Sequence, residues 1–143
     1  MPANGYLVEA GGGYETAGTS IAVNEMLLQS WEGFLRLFPV FPRGQPASFT
    51  GLRAVGAFVV NATLAVNGQV SEVEVLSDAG LNCTFFAPGG LKVAKAGYYE
   101  TTIVPTRPVT IGGTAGLWQF ETEKGARYLI DIGVNGSTSA NEV

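Results

Sequence analysis

The segment RAVGAFVVNATLAVNGQVSEVEVLS, residues 53–77, constrains the fold more than any other part of the chain. Apolar and polar residues alternate on both sides of Asn67-Gly68, and Asn-Gly between alternating runs predicts a two-residue hairpin turn of type I′, with both residues at positive φ. Pairing Val66 with Gln69 then places Phe58, Val60, Ala62, Leu64 and Val66 on one face together with Val73 and Val75. On the other face Asn61 lies opposite Glu74, and Thr63 opposite Glu72. One apolar face and one mostly polar face describe an antiparallel sheet laid over a core.

The remainder of the chain extends this pattern. GLWQFETEKGARYLIDI predicts a second hairpin, turning at Glu123-Lys124-Gly125 with the glycine in the left-handed conformation. Phe120 then faces Tyr128, Trp118 faces Ile130, and Glu121 meets Arg127 on the opposite face. Between the hairpins lie NCTFFA, LKV and YYETTIV, with Pro88-Gly89-Gly90 as punctuation. Upstream, FLRLFPVFP predicts a strand ended by Pro39, and RGQPAS a loop. Apolar residues Ile21, Ala22, Val23, Met26, Leu27, Leu28 and Trp31 mark a helix over about 20–31, with Gly33 as the left-handed residue that ends it. They cover more than a narrow stripe, the pattern of a helix buried on more than one side. The fold class that follows is mainly β, an antiparallel β-sandwich with one N-terminal α-helix.

Composition narrows the chemistry. Hydrophobic residues make up 46% of the 143, enough for one packed domain, while charged residues reach only 14%. That is well under the usual quarter and suggests a surface partly covered in its native setting. The formal net charge is −4 and basic residues do not cluster, which argues against nucleic acid. With no histidine and a single cysteine, Cys83, the chain has no His-dependent triad, no internal disulfide and none of the common zinc sites. Cys83 reads as a core residue. No apolar run is long enough to span a membrane, and no residue set calls for a metal or a cofactor.

The glycine-rich stretch GGGYETAGTS leading into the helix invites comparison with phosphate cradles. It gives G-x-x-x-x-G-T-S from Gly13, but Thr19 stands where a P-loop needs lysine to neutralise phosphate. In the dinucleotide pattern Thr16 occupies the third glycine position. The stretch therefore reads as a turn leading to a helix capped by Thr19 or Ser20.

Three ordered landmarks carry a resemblance: NEMLLQSWEGFLRLFPVFP, ASFTGLRAVGAFVVNATL and GQVSEVEVLSDAGLNCTF. From about Gly11 to Phe86 the chain resembles the C-terminal part of glycoside hydrolase family 95, the α-L-fucosidase-like enzymes, and the segment from Trp118 to Ile130 fits such a tail more loosely. The resemblance implies three parts: residues 1–33 as a glycine-rich loop plus the last helix of an (α/α)6 barrel, 34–135 as a β-sandwich domain, and 136–143 as a polar tail. It also implies a sugar hydrolase as parent, secreted or periplasmic, with this chain a C-terminal fragment of it. In the family the loop carries Asp-Gly-Asn-Phe-Gly, whose Asp activates the hydrolytic water. Here that position is Ala10, and the nearest carboxylates are Glu9 and Glu15. The general acid would lie upstream in the barrel, so no catalytic residue is assigned to this chain.

The function expected is thus a non-catalytic C-terminal β-domain packing against a catalytic barrel, the barrel being the missing partner. With the barrel absent, the apolar helix is expected to join two copies in a homodimer. The alternative is a stand-alone carbohydrate-binding module in which Tyr14, Tyr98 and Tyr99 stack on glycan. Trp31 and Trp118 suit a core better, and because Tyr98 and Tyr99 alternate faces one of them is expected at the surface. Glu72 and Glu74 share a strand face and read as solvated, while Arg53, entering an apolar strand, reads as a strand-end arginine reaching water.

Overall fold

The structure, a computed structural model, describes residues 12–133, with the side chains of residues 12–17 and 19 outside that description. Helix α1 (Gly12–Leu27) runs into β1 (Leu28–Gln29), which pairs with β2 (Arg36–Leu37). There follow β3 (Ala47–Ala54), β4 (Phe58–Leu64), β5 (Val70–Ser77), β6 (Cys83–Phe86), β7 (Leu91–Ala96), β8 (Thr101–Val104), β9 (Arg107–Ile111), β10 (Thr114–Phe120) and β11 (Arg127–Ile132). They form a six-stranded sheet in the order β3-β4-β5-β11-β7-β8 and a three-stranded sheet β6-β10-β9, every strand pair antiparallel. The two sheets share one core, in which Val60, Val75, Val93 and Tyr128 of the larger meet Cys83, Phe85 and Phe120 of the smaller. Among the described residues, the expected mainly β sandwich with one helix is the architecture observed.

In β4 the sequence alternation becomes burial alternation: Phe58, Val60, Ala62 and Leu64 are buried, and the residues between them are half-buried. The turn is not the two-residue form. Gly68 N–H donates to the Ala65 carbonyl and Ala65 N–H to the Gln69 carbonyl, closing a three-residue loop in which Gly68 has φ +86° but Asn67 does not have positive φ. Leu64 accordingly pairs with Val70, one residue away from the predicted register. A bulge at Glu72, at φ +52°, then restores that register, so that Asn61 pairs with Glu74 and Val60 with Val75. The bulge has a packing reason. Val70 and Val73 are three residues apart, yet both turn toward the core, which an unbroken strand of period two does not allow. Strand β3 makes the same adjustment at Gly51 (φ +74°), letting Phe49 and Leu52 pack on one side.

The second expected hairpin is not formed. β10 belongs to the small sheet and β11 to the large one, and residues 121–126 carry the chain across the sandwich. Gly125 does take the left-handed conformation (φ +82°), but its N–H donates to the carbonyl of Ser77. Phe120 and Tyr128 still meet, at 5.5 Å between ring centroids, across the core rather than along a ladder. Arg127 pairs with Glu74 at 3.6 Å, not with Glu121.

The helix also departs from expectation. It begins at Gly12, so the glycine-rich stretch is helical from there, and it stops at Leu27, because Leu28 and Gln29 leave to pair with Leu37 and Arg36. Gly33, at φ +93°, serves the turn between β1 and β2 instead of a helix end. The FLRLFPVFP segment supplies only β2, together with a parallel bridge from Leu35 to Phe85. Arg36 in this segment lies between the rings of Phe34 and Phe86, at 4.9 and 4.7 Å, and 3.5 Å from Glu32.

Gly68→Val should destabilise the fold by about 1 kcal/mol or more, since a β-branched residue resists positive φ. Chemical denaturation is the measurement, and an unchanged midpoint would contradict the loop geometry described.

Candidate functional site

The chain passes from one sheet to the other at Val104–Arg107 and again at residues 121–126, and between these crossings lies an open cleft of about 600 Å³. The floor is apolar, formed by buried Phe120 and Tyr128. The polar groups around it come from four separate strands and both crossings. Lys95 and Thr102 are a cross-strand pair of β7 and β8. Arg107 of β9 is paired with Gln119 of β10 and donates a hydrogen bond to its side-chain oxygen, while Gln119 Nε2 donates to Thr84 Oγ1 at 3.0 Å. Glu121 and Glu123 lie on the second crossing. Lys95 is ion-paired with Glu123, whose carboxylate, hydrogen-bonded to the ammonium, raises the Lys95 pKa. A cation held charged by folding stabilises the fold below its unfolded pKa and loses that contribution as pH climbs through the raised value. Glu123 is itself positioned from below, its N–H donating to the Tyr128 hydroxyl at 2.7 Å.

The β7–β8 hairpin rises beside this cleft and ends in Tyr98 and Tyr99. Both are exposed, at 92% each, so the expected surface tyrosine is joined by its neighbour in a tip with two open rings. The rings stand edge to face at 4.6 Å. The turn beneath them is tight: Gly97 N–H donates to the Glu100 carbonyl at 2.9 Å, and a Cβ on Gly97 would fall 2.4 Å from that oxygen.

The other predicted positions are scattered. Glu9 lies outside the described residues, as do the side chains of Tyr14 and Glu15. Trp118 is half-buried against the core, as expected of it, whereas Trp31 is 68% exposed, because the helix ends before reaching it. Arg53 reaches solvent and pairs with Asp78 at 3.1 Å. Glu72 and Glu74 accept hydrogen bonds from Thr63 and Asn61 on the open face of the large sheet. Cys83 is fully buried, and burial pushes its thiol pKa up. Among the described residues no group of three or more His, Cys, Asp or Glu could hold a metal.

The family model for glycoside hydrolase family 95, C-terminal domain, matches residues 29–130. The chain belongs to that family. The match starts at Gln29 and runs to Ile130 in β11, so it takes in both sheets and the closing segment that resembled the family only loosely, and it leaves out α1. No curated protein matches the chain. The matched part is the C-terminal domain of a glycoside hydrolase family, and in this chain it is the β-sandwich.

Sequence reasoning singled out Tyr98 and Tyr99 but none of the polar cleft residues. Lys95, Arg107, Gln119 and Glu123 form no local motif; the stacking of the two sheets and the crossing that carries Glu123 bring them together. Tyr128→Phe should leave the Glu123 N–H without its buried acceptor and lower stability by about 1 kcal/mol, read as a reduced denaturation midpoint.

Proposed function

We propose that this domain is the C-terminal β-domain of an α-L-fucosidase-like hydrolase and that it docks on the catalytic (α/α)6 barrel through α1. The observation that carries this reading is the uncovered helix. Ile21 and Val23 are exposed at 62% and 49%, Ala22 is exposed, and Met26 and Leu27 are only half-buried. The sequence pattern asks for cover on more than one side, and the sandwich itself covers Leu28, just past the helix. Covering a Val or Ile side chain is worth about 1.5–3 kcal/mol, and a neighbouring barrel helix supplies such a cover. Hydrolysis itself calls for an acid and a base on opposite sides of the scissile bond. Glu72 and Glu74 lie instead on one strand, each hydrogen-bonded to a neighbouring side chain.

Two measurements test this. The chain alone should give no turnover on aryl fucosides, galactosides or xylosides; turnover abolished by Glu9→Gln or Glu15→Gln would overturn the non-catalytic assignment. In the absence of a barrel, the same helix face should join two copies with two-fold symmetry. Light scattering after size exclusion should then report a dimer that becomes monomeric in the Ile21→Glu, Val23→Glu double variant. Leu28 is unsuited to this test because it sits in the core. A wild-type monomer at high micromolar concentration that binds no barrel domain of a family 95 enzyme would refute docking through α1.

A further inference from the structure

We propose that the cleft beside β8, together with the Tyr98–Tyr99 tip, is a binding site for a neutral oligosaccharide, separate from the surface that α1 offers to a partner. Location makes it separate. Ser30, just after α1, accepts a hydrogen bond from Val55 N–H at the end of β3. β3 and β8 are the two outer strands of the large sheet, five strand spacings apart, or about 24 Å. The helix attachment and the tyrosine hairpin thus lie at opposite edges of the large sheet.

The chemistry of the site selects the ligand. Side chains as large as tyrosine are usually at least partly covered, and a hairpin tip is ordinarily made of small polar residues. Two open tyrosines on a turn pinned by Gly97 are therefore a presented surface. Their edge-to-face contact lets one ring brace the other and keeps a ring face available. Pyranose rings offer C–H faces that pack on such a surface while their hydroxyls point sideways. The hydroxyls need both donors and acceptors, and the cleft has both. Lys95 and Arg107 donate, Glu121 and Glu123 accept, and Thr102 and Gln119 do either. Distance also fits. The tyrosines lie three residues beyond the Lys95–Thr102 pair, roughly 10 Å along the hairpin, so an oligosaccharide of a few units can reach from the rings into the cleft. The volume of about 600 Å³ is in the range of ligand sites. Charge sets the class: the two cations in the cleft are matched by two carboxylates, so the site has no bias toward uronate or sulfate groups. Exposed Ile103, on the same rim, adds apolar surface for the sugar. Glycan is also the substrate class named by the family to which the domain belongs, and the site is independent of where α1 docks.

Affinity electrophoresis of the whole chain, in gels containing xyloglucan, galactomannan or polygalacturonate, tests the proposal. Retardation is expected in at least one of the two neutral polysaccharides and not in the acidic one. Tyr98→Ala with Tyr99→Ala should weaken it at least tenfold, and Arg107→Ala, which leaves the tip intact, should weaken it as well. Thermal midpoints within two degrees of the wild type would show that the tip variants remain folded. No retardation in either neutral gel, retardation in polygalacturonate alone, or retardation unchanged in the tyrosine variants would each overturn the proposal. Loss of self-association in those variants with no effect on polysaccharide would assign the tip to a protein contact, which also overturns it. The polysaccharide outcomes do not bear on docking through α1, which the helix variants test independently.

Discussion

The sandwich depends on the contact between Phe120 and Tyr128. These rings, with Phe85 stacked at 6.5 Å from Phe120, are where the inner faces of the two sheets become one interior. Each ring is almost wholly buried, and burial of a large apolar side chain contributes about 1.5–3 kcal/mol. The same contact organises the surface above it. Tyr128 accepts a hydrogen bond from the backbone of Glu123, fixing the crossing between sheets, and Glu123 in turn holds Lys95 at the root of the tyrosine hairpin. Core packing and cleft geometry are thus one connected arrangement, and the polar rim inherits the rigidity of the floor.

A second constraint acts on the open face of the large sheet. Two strands carry an extra residue, at Gly51 and at Glu72, and Asn61 stands between them. Its side-chain oxygen accepts from Gly51 N–H at 2.8 Å, and its amide donates to Glu74 at 3.2 Å. Asn61 therefore ties both irregular strands to the regular one between them. The carboxylates on this face are spent on holding the sheet, which is a physical reason to look elsewhere for ligand contacts.

What the sequence made legible follows from the range of each interaction. The alternation in β4 and β5 is local, and it identified the core face and the Asn61–Glu74 pair. The bulge at Glu72 was not legible, because nothing about a glutamate announces positive φ; the demand comes from Val70 and Val73 seeking the same interior. The segment around Gly125 was misread for a related reason. A left-handed glycine between two apolar runs suits a hairpin and a crossing equally well, and only the partners of β10 and β11 distinguish them. For α1, apolar content reported that the helix wants cover, but not whether this chain provides it. The candidate site divides along the same line: two adjacent tyrosines are visible in sequence, whereas their joint exposure and the distant residues beside them are products of topology.

Cys83 has a consequence for where such a domain can work. The thiol is completely enclosed between the sheets, and burial disfavours the thiolate, the form that reacts. As the only cysteine in the chain, it has no internal partner, and its burial denies it an external one. The fold then carries no internal disulfide to form and none to lose. Its integrity is indifferent to the redox state of the surroundings, so the same sequence can be held together equally well on either side of a cell envelope.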